Sequence, residues 1–86
     1  MDKVLQRLTK REIEVVYFIA QNKSNTEIAK LLCISIHTVK AHVCSILYKL
    51  GALGRTQAAI IALKLGYISI SDDFKEINIS KDILNI

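Results

Sequence analysis

The chain has 86 residues, enough for one domain and its core, and 51% of them are hydrophobic, which excludes a disordered segment. With no proline and three glycines it suits a compact helical domain better than a turn-rich β protein. The net charge of +4 is unevenly spread: residues 1–70 carry ten basic and four acidic side chains, residues 71–86 two and four, and no acid lies between Ile28 and Ser71.

Lys30, Lys40, Lys49, Arg55 and Lys64 all fall in that acid-free tract. Such a surface draws polyanions, nucleic acid above all, although a merely solvated face carries the same bias. No apolar run reaches the roughly 18 residues of a membrane span. The charged start "MDKVLQRLTKRE" lacks the apolar centre of a secretory signal. A cytoplasmic protein with reduced thiols and no membrane contact is therefore expected.

The first helix is expected over residues 10–21. Thr9 is its N-cap and Glu12, three residues on, completes a capping box. Ile13, Val16, Phe18, Ile19 and Ala20 form its apolar stripe, and Asn22 suits the left-handed backbone after a helix end. A shorter second helix follows in "SNTEIAKLLC", with Asn25 as N-cap and Ile28, Ala29, Leu31 and Leu32 as its buried side. Cys33 and Ile34 make a turn. Ser35 caps a third helix over about 36–50 that stops at Gly51. "TQAAIIALKL" gives a fourth helix with Thr56 as N-cap, ending at Gly66, and Ala58, Ala59 and Ala62 form a small-residue surface on it. From Ser69 the tail admits strand or short helix.

The segment "CISIHTVKAHVC" holds both cysteines and both histidines. On a helix His42 lies about 160° round from Cys44 and about 140° from His37, while His37 and Cys44 stand about 10.5 Å apart along the axis. Zinc bonds of about 2.0–2.3 Å cannot gather those ligands, so no metal or cofactor is expected. A Cys–His nucleophile fails on the same geometry and lacks an orienting third group, so no enzyme is expected.

Taking about 100° per residue, Val39, Val43, Ile46, Leu47 and Leu50 form the core side of the third helix. His37, Thr38, Ala41, Cys44, Ser45 and Tyr48 face the other way, flanked by Lys40 and His42. Ala41, Cys44 and Ser45 are small enough to let the helix sink into a DNA major groove about 12 Å wide. Ser35 and Thr38, at the helix start, can meet phosphate; so can Lys40 and His42, and Lys40 can also turn to a guanine edge. A solvated surface helix would show much the same residues.

The stretch "LTKREIEVVYFIAQNKSNTEIAKLLCISIHTVKAHVCSILYKLGALGRTQAAIIALKLG", about residues 8–68, resembles the LuxR-type (GerE-like) DNA-binding domain. Its markers are "LTKRE", "IAQNKSNTEIA", "IS" before "TVKAHV", "ILYKLG" and "RTQAA". The resemblance implies an all-α, four-helix bundle whose second and third helices form a helix-turn-helix, with residues 1–7 as lead-in and 69–86 as a tail outside the pattern. It implies a bacterial transcription regulator that binds duplex DNA through the third helix, with the fourth helix pairing two protomers.

Carried over by position, Lys40, Ala41 and Cys44 correspond to base-contacting residues. Thr38, Lys40 and His42 correspond to backbone contacts, Asn25 sits beside a phosphate, and Glu12 is a structural acid. The alanines at 58, 59 and 62 are the expected dimer contacts. Lys10 departs from the frequent proline, Asn22 from glycine, and Cys44 from a longer polar side chain, which leaves contact with a thymine methyl as one option. An interaction module that pairs through the fourth helix without binding DNA is the competing function; acidic residues on the third helix would mark it, and there are none. A stand-alone regulator and a piece of a longer one, governed by an upstream domain or partner, both fit the length.

Overall fold

Thr9 sets the start of the first element. Its side chain accepts the Glu12 N–H at 3.1 Å, and Glu12 Oε1 accepts the Thr9 N–H at 2.9 Å, so two donors left free at a helix start are satisfied reciprocally. In the computed structural model, which describes residues 6–81, this capping box opens α1 (Lys10–Ala20). The parts of the lead-in and tail at residues 1–5 and 82–86 lie outside the described residues. After α1 the backbone turns at Asn22 with φ 64°, the left-handed conformation expected there.

Helix α2 (Asn25–Leu32) begins one residue earlier in the cap than the sequence suggested. Ser24, not Asn25, is the N-cap, because Ser24 and Glu27 form a second capping box at 3.1 and 2.8 Å. Asn25 has no acid three residues on to reciprocate. Cys33 closes α2 in the left-handed conformation, and the chain bends by 110° into α3 (Ile36–Leu50). That angle is the one a helix-turn-helix makes. Ser35 caps α3 by accepting the Thr38 N–H at 3.0 Å, and Gly51 ends it with φ 66°, which a residue with a Cβ adopts only at a cost.

Helix α4 (Arg55–Lys64) starts before Thr56. Its N-cap is Gly54, which has no side chain to offer; instead Gln57 Oε1 reaches back to the Leu53 N–H at 2.6 Å. The tail then forms strand rather than helix. Strands β1 (Ile68–Ile70) and β2 (Ile77–Ile79) pair antiparallel, with Ile68 opposite Ile79 and Ile70 opposite Ile77. The Ser71 hydroxyl organises the connection: it accepts the N–H groups of Lys75 and Glu76 and donates to Asp73.

One core joins all of this. Ile13, Val15, Val16 and Ile19 of α1 meet Ile28 and Ala29 of α2, Val39, Val43, Ile46 and Leu50 of α3, and Ala58 and Ala62 of α4. Each fully buried Ile or Val contributes about 1.5–3 kcal/mol relative to exposure. Val15, absent from the expected stripe, is fully buried, while Phe18 and Ala20 are half-buried. Leu31 is a correction of the opposite kind: 52% exposed, it lies past the edge of the α2 face that Ile28 and Ala29 bury.

The hairpin belongs to this core. Ile68 is buried, Ile77 and Ile79 pack against the helices, and β2 lies along α1 while β1 meets α4. A further tie runs from the hairpin's base to the residue before the first N-cap, where the Tyr67 hydroxyl accepts the Leu8 N–H at 3.2 Å. Among the described residues no single helix is long and apolar enough to cross a membrane.

Candidate nucleic-acid interface

Helix α3 is oriented by two constraints. Val39, Val43, Ile46 and Leu50 sink one side into the core. Ser45 and Lys49, four residues apart and thus on one face, reach sideways to α1. The Ser45 hydroxyl donates to Glu12 Oε2 at 2.6 Å and Lys49 Nζ donates to Oε1 at 2.8 Å. Glu12 is only 4% exposed, yet its carboxylate holds the Thr9 N–H, Ser45 and Lys49 together.

Removal from water is the largest single influence on Glu12 and pulls its pKa up. The hydrogen bonds from Lys49, Ser45 and the Thr9 N–H, with the charge of Lys49, together outweigh it and hold the carboxyl below its ordinary 4.5. Sequence periodicity contained the signal: Glu12, Val16 and Ile19 fall at i, i+4 and i+7, on the buried side of α1.

What remains outside is a stripe at His37, Ala41, Cys44 and Tyr48, all exposed and about 16 Å long at the helical rise. Tyr48, 75% exposed, ends it. Thr38 and Lys40 are exposed beside the stripe, and His42 is half-buried on its flank. Ser45 does not belong to this open face, because its hydroxyl is taken by Glu12 and the residue is half-buried. At the helix start the Ser35 and Thr38 hydroxyls share a hydrogen bond of 2.9 Å in an exposed position. Cys33 and Cys44 are free, exposed thiols. Among the described residues no three His, Cys, Asp or Glu side chains group together.

A second crossing tie, unforeseen from sequence, joins α4 to α2. Arg55 donates through Nη1 to Asn25 Oδ1 at 2.6 Å and through Nη2 to the Lys23 carbonyl at 2.7 Å. Of the cations in the acid-free tract, Lys49 and Arg55 thus make internal bonds, while Lys30, Lys40 and Lys64 stand exposed. The expected dimer contacts need correction. Ala58 and Ala62 are fully buried in the chain's own core, since their small side chains let α4 lie close, and only Ala59 is partly open. The outward side of α4 carries Thr56, Ile60 and Lys64, with Ile60 46% exposed.

Compared with known proteins, residues 6–62 match the model of bacterial regulatory proteins of the luxR family. The chain belongs to that family. It is 51% identical over 57 residues to the transcriptional regulatory protein LiaR of Bacillus subtilis (strain 168), covering 66% of this chain and 27% of LiaR. It is 43% identical over 63 residues to the spore germination protein GerE of the same organism, covering 73% of this chain and 85% of GerE. The solved structure of the transcription factor GerE superposes with a TM-score of 0.66 at 37% identity, covering 71% of this chain and 92% of GerE. The Vibrio cholerae VqmA dimer, a LuxR-type receptor, gives 0.66 at 37% identity over 70% of this chain and 27% of VqmA. The chain thus spans about a quarter of LiaR and most of GerE. The all-α, LuxR-type helix-turn-helix architecture expected from the sequence is the one present, with the β hairpin as a small addition.

A carboxyl with a folded pKa below its unfolded value stabilises the fold above the unfolded value, and that stabilisation is lost as pH falls through the folded value. Glu12→Gln should cost about 3 kcal/mol near neutral pH, since it leaves Lys49 without its partner. In urea unfolding followed by circular dichroism, the gap between wild type and variant should narrow from about pH 6 to about pH 3. An equal gap at both pH values would contradict the role given to the carboxylate.

Proposed function

We propose that this domain is the DNA-binding part of a bacterial transcription regulator, laying α3 in the major groove of duplex DNA. One observation carries the proposal: the stripe His37, Ala41, Cys44 is exposed, small enough at its centre to approach base edges, and borders Lys40 in a tract free of acids. Lys40, Ala41 and Cys44 meet the bases. Asn25, Ser35, Thr38, Lys40 and His42 meet the phosphates, with Lys40 able to serve either. The competing interaction module gains no support, because α3 carries no acidic residue to repel DNA.

A regulator of this kind works in the cytoplasm, on DNA, and its function involves no catalytic step, metal or cofactor. Two protomers pair through the outward side of α4, with Ile60 at the centre and Thr56 and Ala59 beside it. Pairing of α4 on a two-fold site would present two copies of α3 to successive major grooves. LiaR is much longer than the matched region, which supports control by a further domain or a partner protein.

Lys40→Ala and Thr38→Ala should each weaken DNA binding with the fold intact. If Lys40 meets a phosphate, its loss lowers the salt dependence by about one counterion for every sequence; if it meets a base, preference relaxes at one position. Fluorescence anisotropy over a potassium chloride series separates the two outcomes, and unchanged affinity for both variants would sink the assignment. For the dimer, Ile60→Asp should give a monomer in sedimentation velocity on a duplex with two half-sites, while binding to a single half-site persists. A dimer that survives Ile60→Asp would rule out pairing through this face.

A further inference from the structure

The side chain that joins α4 to α2 has a chemical consequence for the DNA backbone contact. Arginine only donates, so the atom of Asn25 that faces Arg55 must be the amide oxygen, and the 2.6 Å bond fixes it there. The amide is planar; once its oxygen is turned to Arg55, its NH2 group is aimed the other way. Among the described residues the Asn25 NH2 group has no partner, and no buried side-chain nitrogen or oxygen is left unpaired, so this group reaches solvent. The guanidinium itself rests on two neutral acceptors, Asn25 Oδ1 and the Lys23 carbonyl. No carboxylate among the described residues lies within ion-pair distance of it, so its charge is not cancelled locally.

We infer that Arg55 is a positioning residue for DNA binding: by holding the Asn25 oxygen and the Lys23 carbonyl, it presents the Asn25 N–H donors outward to a backbone phosphate. The inference rests on the DNA-binding function proposed above. It adds that α4, beyond any part in pairing, sets the polarity of a contact made by α2. A free asparagine would show phosphate its oxygen as readily as its nitrogen. An oxygen facing phosphate repels it, so the orientation decides whether this position attracts or opposes DNA.

Asn25→Asp separates orientation from folding. One carboxylate oxygen still accepts from Arg55, now as an ion pair, and an acid in the first turn of α2 suits the helix dipole. The fold should therefore melt no lower than wild type. The outward atom, however, changes from a donor to a charged acceptor. With a fluorescein-labelled pool of random duplex DNA at fixed potassium chloride, Asn25→Asp should lose about tenfold or more in affinity, and more than Asn25→Ala loses.

Arg55→Lys supplies the second arm, since lysine offers one compact charge in place of the two-pronged fork. It should weaken binding when Asn25 is present and add little in the Asn25→Ala background. Asn25→Asp binding as tightly as wild type would overturn the inference, as would losses for Arg55→Lys and Asn25→Ala that simply multiply. If folded wild-type protein binds no duplex at all, the DNA-binding function itself falls and takes this inference with it; wild-type binding with a silent Asn25→Asp rejects the inference alone.

Discussion

Glu12 is the one charged side chain among the described residues that the fold buries, and the orientation of α3 depends on it. Taking a carboxylate out of water costs several kcal/mol, which only close partners can offset. Here the partners come from two places: the N–H of Thr9, on the capping box of its own helix, and Ser45 and Lys49, on the helix that faces outward. A buried ion pair adds little net stability over an apolar replacement, but it is directional where apolar packing is not. Val39, Val43, Ile46 and Leu50 hold one side of α3 in the core. Ser45 and Lys49 add a directional restraint, since a roll of the helix would carry both from the carboxylate.

This constraint determines what the surface offers. With Ser45 and Lys49 turned to α1, the outward stripe is reduced to His37, Ala41, Cys44 and Tyr48, with Lys40 beside it. Arg55 is likewise engaged inside, against α2. The positive balance of the chain therefore overstates the charge left free at the surface, since Lys49 and Arg55 are engaged internally. Under the function proposed above, a helix with alanine and cysteine at the centre of its reading face would have to come close to the bases, because neither side chain has length to spare. A firmly held α3 suits that requirement.

Much of this was legible in the sequence, and the failures have physical causes. The Thr9–Glu12 box, the Ser35 cap and the Gly51 stop follow from local chemistry, and local chemistry decided them. Ser24 was missed although "SNTE" carries the same reciprocal spacing as "TKRE", because Asn25 is by itself as good a cap. Gly54 was missed because it has no side chain to cap α4, and the polar group that reaches back across the helix start is Gln57, on the Leu53 N–H. Ala58 and Ala62 share a face, but periodicity cannot say whether a small-residue face meets its own core or a second chain. Ser45 looked outward by angle alone; only the position of Glu12 on a neighbouring helix turns it inward. The hairpin was ambiguous because three-residue strands are too short to show a period, and its place in the core is set by β1 meeting α4 and β2 lying along α1.

The most direct test of α3 as the reading element changes what it reads. Sequences enriched from random duplex DNA at fixed salt should be compared for wild type and Cys44→Arg. If Cys44 faces the bases, arginine there can reach a guanine edge, and the enriched half-site should gain a G·C pair at one position with half-site spacing unchanged. The same enriched sequence for both proteins, with Cys44→Arg folded and bound, would contradict the orientation of α3 described here.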